Sequence, residues 1–152
     1  MNKRLVILIG YFLTASLLPA TARTHLEIRL EIPCAPGMTS FSLPRDAGSP
    51  QVVCLSTDLV LDDSNIVRAV GGTDNRNGRR FISLTLDKAG QARLAAATRQ
   101  NLGRRMAILF DGMVLSAPLI FEPILGDSVQ LSGVDGEVEE ILRVLGNGPS
   151  PT

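Results

Sequence analysis

Residues Phe81–Gly133 read FISLTLDKAGQARLAAATRQNLGRRMAILFDGMVLSAPLIFEPILGDSVQLSG, and this stretch decides the fold. Arg80 to Leu86 alternates apolar and polar residues, the period of a strand that buries one face, here Ile82, Leu84 and Leu86 or the reverse set. Asp87 ends the strand and opens a helix, because its carboxylate accepts a hydrogen bond from the exposed amides of a first helical turn. Gly90 stands where a capping-box Glu would sit. Leu94, Ala95, Thr98 and Leu102 fall on one helical face, with Gln91 as its polar exception, and Gly103 stops the helix as a left-handed cap. Met106 to Phe110 makes the next strand, Asp111-Gly112 a tight turn, and Met113 to Ala117 the returning strand, which Pro118 interrupts. After Pro123 and Gly126 a short strand spans Val129 to Ser132.

Upstream, Asn77-Gly78 supplies hairpin-turn chemistry, since both residues tolerate positive φ. Leu26, Ile28, Leu30 and Ile32 alternate with Glu27, Arg29 and Glu31, a half-buried strand. From Pro33 to Pro50 the composition shifts to Pro, Gly and Ser, with one short strand expected at Met38 to Leu43 and another at Gln51 to Leu55. Asp62-Asp63-Ser64 caps a single helical turn through Val67, ahead of an irregular strand ending at Gly71-Gly72. The paired acids also resemble half a metal site, but no further acid or His nearby in sequence completes an oxygen shell. Downstream, Asp135 is placed to cap a last helix in which Val138, Ile141, Leu142 and Leu145 share a face, with Glu137, Glu139 and Glu140 at its positive amino end and Gly146 as its stop. The sum is an α+β domain over residues 23–146, a mostly antiparallel sheet with two main helices packed on one face, and an Asn-Gly-Pro-Ser-Pro-Thr tail at 147–152 expected to be disordered.

The amino end carries Lys3 and Arg4, an apolar run from Leu5 to Leu18, and small residues up to Ala22, the pattern of a secretory signal peptide over residues 1–22 cut between Ala22 and Arg23. The competing reading is a membrane anchor, for which the run is short. No Cys stands directly after the run to carry a lipid. Cleavage removes Lys3 and Arg4 from 15 cations and none of 15 acids, leaving 13 against 15, a balance that argues against electrostatically driven binding to nucleic acid or anionic lipid. Export favours a structural disulfide between Cys34 and Cys54 over a redox pair, since no Cys-x-x-Cys spacing is present to tune a thiolate.

Leu86-Asp87 with Gly90, then Thr98, Asn101 and Gly103, Ala107-Ile108, Asp111-Gly112, Ser116-Ala117-Pro118, Pro123-Ile124 and Ser132-Gly133 occur together in an order that resembles the head subdomain of the first large periplasmic domain of the SecD family. The resemblance covers about a third of the chain, Phe81 to Gly133, and extends less securely back to Leu59 and forward to Leu145. It implies an α+β unit that in the family stands on a base domain and swings to help draw emerging polypeptide across the membrane. The charged membrane helices and the base have no counterpart in this sequence, and Val134-Asp135-Gly136 stands where the family usually places an aromatic residue and Thr. The resemblance therefore implies a free-standing exported relative that keeps the scaffold.

No catalytic constellation accompanies these motifs. His25, the only histidine, lies at the start of the exported chain, away from any Ser-His-Asp pattern, and a zinc site would need it together with both cysteines. No cofactor motif is present, since Gly71-Gly72 belongs to no phosphate-binding loop. Three expectations follow. The first is a non-catalytic periplasmic module that binds unfolded or exported polypeptide, or an envelope protein, at a sheet edge formed by Pro118, Leu119, Ile120 and Phe121. The second is a small periplasmic hydrolase that pairs Asp111 with Glu122 or Asp127. The third is a secreted inhibitor-type partner protein.

Overall fold

The computed structural model describes residues 24–43, 51–132 and 136–146. The expected signal peptide with its Ala22–Arg23 cut, the expected Asp135 cap and the tail at 147–152 lie outside the described residues. The order is β1 (Leu26–Ile32), β2 (Ser40–Ser42), β3 (Val52–Asp62), a 3₁₀ turn (Asp63–Asn65), β4 (Ile66–Thr73), β5 (Arg80–Leu86), α1 (Lys88–Gln100), β6 (Met106–Phe110), β7 (Met113–Ser116), β8 (Ser128–Ser132) and α2 (Val138–Leu145). The fold is α+β, and every strand pairing is antiparallel. The strands divide into a five-stranded sheet ordered β2-β3-β1-β6-β7 and a three-stranded sheet ordered β4-β5-β8.

One main core joins the two sheets. Leu26 and Ile28 of β1, Met106, Ile108 and Phe110 of β6, and Ile82, Leu84 and Leu86 of β5 meet there with Leu94 of α1 and Val138 and Ile141 of α2. Helix α1 rests on β3 and β5, and α2 on β4 and β5, so both helices lie on the apolar face of the smaller sheet. Every residue of β6 is buried because Ala107 and Leu109 point the other way, into a second cluster with Val53 and Leu55.

Strand β3 runs on to Asp62, past the expected end at Leu55. Between Leu55 and Leu59 it bulges away from β1, whose Arg29 and Glu31 face those two residues. Arg29 Nη1 fills the gap by donating to the carbonyls of Ser56 at 2.9 Å and Thr57 at 3.0 Å, which the bulge leaves without ladder partners.

The start of α1 follows from local chemistry. Asp87 Oδ1 accepts from the Gly90 amide at 2.6 Å, as a helix cap does. Gly90 has no room for the Glu of a capping box, since a Cβ there would stand 2.9 Å from Asn65 Cβ and 3.2 Å from Leu61 Cδ2. Thr98 is buried, donates to the Leu94 carbonyl at 2.7 Å and accepts from the Ile124 amide at 3.0 Å. Leu102 departs from the expected face and stands exposed, because the helix closes at Gln100 and Gly103, at φ +77°, turns the chain away.

Candidate partner-binding face

The expected binding edge begins at a hairpin. Asp111 and Gly112 have φ of 47° and 79°, both left-handed, which suits a tight turn between twisted strands. β7 returns along β6 with a register shift between Ile108 and Leu109. Past Ser116 the chain keeps to the same neighbour. The Pro118 carbonyl accepts from Met106 N at 3.0 Å, Ile120 N donates to the Arg104 carbonyl at 2.9 Å, and Gly103 N donates to the Ile120 carbonyl at 2.8 Å. Arg105 Nη1 adds a bond to the Ala117 carbonyl at 2.9 Å. The inner side of Pro118–Ile120 is thus already engaged by residues 103–106.

Alternation then sorts the side chains. Ile120 is 4% exposed and belongs to the main core, whereas Leu119 is 40% and Phe121 85% exposed. Leu102 and Leu125 are exposed as well. The bonds from Gly103 N to the Ile120 carbonyl and from Ile124 N to Thr98 Oγ1 tie the backbone that carries these residues to the carboxyl end of α1.

A second feature lies at the rim of the larger sheet. Its two edge strands, β2 and β7, approach each other across an open groove of about 510 Å³ lined by Phe41, Leu43, Met113, Val114 and Glu137. Cys34 and Cys54 are bonded at the same end of this sheet, beside β2, with S–S 2.07 Å and Cα–Cα 5.2 Å. Cys54 pairs with Ile32 of β1 and Ser40 of β2, so the link sits where three strands meet.

The acids are structural in placement. Asp63, expected with Asp62 and Ser64 to cap a turn, has two oxygens that accept from the amides of His25 at 2.7 Å and Leu26 at 2.6 Å, fastening the start of β1. Asp62 caps the 3₁₀ turn through Ser64 N at 2.9 Å. His25 Nδ1 lies 2.7 Å from Asp111 Oδ1, so the turn residue also holds the only histidine. Asp111, Glu122 and Asp127 are all exposed, on a turn and two bends. On α2, Arg80 holds the Glu139 carboxyl, and Arg143 the Glu140 carboxyl, below the ordinary carboxylate range, chiefly by hydrogen bonding. Among the described residues no group of three or more His, Cys, Asp or Glu side chains is placed to hold a metal ion, and no helix is long and apolar enough to cross a membrane.

The grip of Asp63 and the His25–Asp111 pair escaped sequence reading because they join residues 38 and 86 positions apart, and only the β1–β6 register brings Leu26 opposite Phe110. The groove is equally long-range. No local signal announces it beyond the alternation of Phe41 and Leu43 with serines.

Comparison with known proteins agrees with this geometry. Residues 39–148 match the family described as SecDF, P1 head subdomain, a reach that takes in β2 and β3 as well as the 81–133 stretch. The protein translocase subunit SecDF of Thermus thermophilus is 36% identical over 110 residues, 71% of this chain and 14% of that protein. The protein translocase subunit SecD of Acidaminococcus fermentans is 35% identical over 79 residues, 51% of this chain and 19% of the relative. A solved structure of SecDF, described as a membrane component that enhances protein export, superposes with a TM-score of 0.60 at 28% identity over 86% of this chain and 65% of that one. SecDF in its super-membrane-facing form gives 0.62 at 27% identity, over 85% of this chain and 19% of that one. The chain thus spans less than a fifth of either curated relative, and what it shares with them is the folded unit just described. With a match across residues 39–148, the chain belongs to the SecDF P1 head subdomain family.

Proposed function

We propose that this chain is a non-catalytic polypeptide-binding module of the protein-export apparatus, working in the periplasm after its signal peptide is removed between Ala22 and Arg23. Family membership supports a part in export. The observation that carries the binding role is the division of labour at Pro118–Phe121. Ile120 anchors the segment in the core while Leu119 and Phe121 stand in solvent on a backbone held by Arg104 and Met106. A rigid support under an exposed aromatic side chain suits capture of apolar segments, because little conformational freedom is lost when the contact forms. Such a face discriminates little between sequences and favours chains whose apolar residues are not yet buried.

The carboxylate-pair hydrolase draws no support from the exposed turn positions of Asp111, Glu122 and Asp127. An acid–base pair needs two carboxyls facing one cleft, one of them kept protonated by its surroundings. The inhibitor-type reading would be favoured by recovery of one stoichiometric partner from the periplasm. Titration of the purified protein with the same substrate in unfolded and folded form tests the proposal. Saturable binding of the unfolded form alone is expected, and absence of binding to either at high micromolar concentration would overturn it.

A further inference from the structure

The three-stranded sheet ends in β4, which pairs with β5 on one side and, among the described residues, with no strand on the other. Eight residues of extended backbone, Ile66–Thr73, run along that edge. Unpaired strand edges attract further strands, and proteins usually guard them with short length, Pro or Lys. β4 has no Pro or Lys, and its guard is a register shift between Ile66 and Arg68. Val67 and Val70 are exposed along it.

Apart from Glu139 and Glu140 of α2, whose carboxylates Arg80 and Arg143 hold, the exposed charge along β4 and its hairpin is cationic. Arg68, Arg76 and Arg79 are exposed, and among the described residues no carboxylate pairs with them. The one acid of the hairpin, Asp74, is committed to the turn, where its carboxylate accepts from Arg76 N at 2.9 Å and its backbone bonds Arg79 and Gly78. The guanidinium groups of Arg76 and Arg79 therefore project from a fixed backbone at one end of the open edge, with Arg68 along it.

We propose that the β4 edge accepts an extended, acidic polypeptide segment as an added antiparallel strand, with its carboxylates set against Arg68, Arg76 and Arg79. Backbone pairing supplies the affinity and the arginines select the sign of charge. An anionic lipid surface satisfies the charge but not the unpaired amides and carbonyls, so a polypeptide fits both features. This inference rests on the polypeptide-binding reading and names a second contact for the same class of client, apart from Leu119 and Phe121.

Amide chemical shifts and hydrogen exchange of the isotope-labelled exported protein at low salt test it. The probes are a synthetic peptide of alternating Val and Glu, its Val and Lys counterpart, and phosphatidylglycerol vesicles. The Val-Glu peptide is expected to shift and protect the amides of Val67–Thr73, and R68E combined with R76E, both at exposed positions, to weaken that binding about tenfold with the loss fading as salt screens the charges. Equal binding of the Val-Lys peptide overturns the inference. So does movement of β4 by vesicles but not by peptide, or protection of β4 that grows with protein concentration alone, which would make the occupant a second copy. Shifts confined to residues 118–121 sink the β4 inference and leave the polypeptide-binding reading standing. Silence everywhere with both peptides sinks both.

Discussion

Ile120 and Phe121 are adjacent in sequence and opposite in environment, so truncating each in turn separates scaffold from contact. Ile120 is 4% exposed within the main core, and I120A should cost about 2–5 kcal/mol of stability, the lost transfer free energy plus the cavity left behind. Phe121 is 85% exposed, so F121S should change stability by less than about 0.5 kcal/mol. Its effect belongs to binding. A Phe side chain presents roughly 200 Å², of which 85% is free to be covered by a client, equivalent to about 4 kcal/mol at ~25 cal/mol per Å². Ordering both partners takes back more than half of that, leaving roughly 1–2 kcal/mol, or about a five- to thirtyfold loss of affinity. The chain has no Trp and its single Tyr, Tyr11, falls in the proposed signal peptide. Stability is therefore followed by circular dichroism in urea, and binding by anisotropy of a labelled unfolded client. If F121S unfolds the protein as readily as I120A, or leaves affinity unchanged while the client still binds, the reasoning fails.

Other perturbations probe the frame. G90A would push a methyl against Asn65 Cβ, fixed to the backbone, and Leu61 Cδ2, buried in the core, and urea denaturation should show a loss of about 1–3 kcal/mol. Reducing the Cys34–Cys54 link, which spans 20 positions, should cost about 3 kcal/mol, and alkylation with mass spectrometry of the native exported protein should find no free thiol. D63A removes the acceptors of the His25 and Leu26 amides, and exchange at Leu26 should quicken with a stability loss of about 1–2 kcal/mol. Glu139 and Glu140 have their carboxyl pKa lowered in the folded chain. The stabilisation they give is present above the unfolded carboxylate value and lost as pH falls through the lowered folded one. Both are exposed, so the effect is small and salt-screened, and R80A with R143A should flatten the acid side of the stability profile.

What could be read from the sequence was what is encoded within a few residues. Asn77-Gly78, Asp87, Gly103 and Asp111-Gly112 each set a turn, cap or stop by their own backbone preferences, and β5, β6 and the start of α1 lie where those signals place them. The course of β3 was not legible, because its bulge is completed by Arg29 from another strand. Nor was the division into two sheets, which depends on where β3 turns at Asp62–Asn65 and on α1 returning the chain to β1 through β6. At the candidate site, the apolar run Leu119-Ile120-Phe121 is plain in the sequence, but which of its side chains faces the core follows from the bonds to Arg104 and Met106. Leu102 shows the same limit from the other side, since helical spacing assigns a face only while the helix lasts.

The role rests on whether Phe121 meets exported chains in the envelope. A photoreactive amino acid at position 121, illuminated while a slowly exported client is crossing, gives the most direct answer. The account predicts crosslinks to the emerging client that disappear once it has folded. Crosslinks to a single folded envelope protein with none to the client would contradict it.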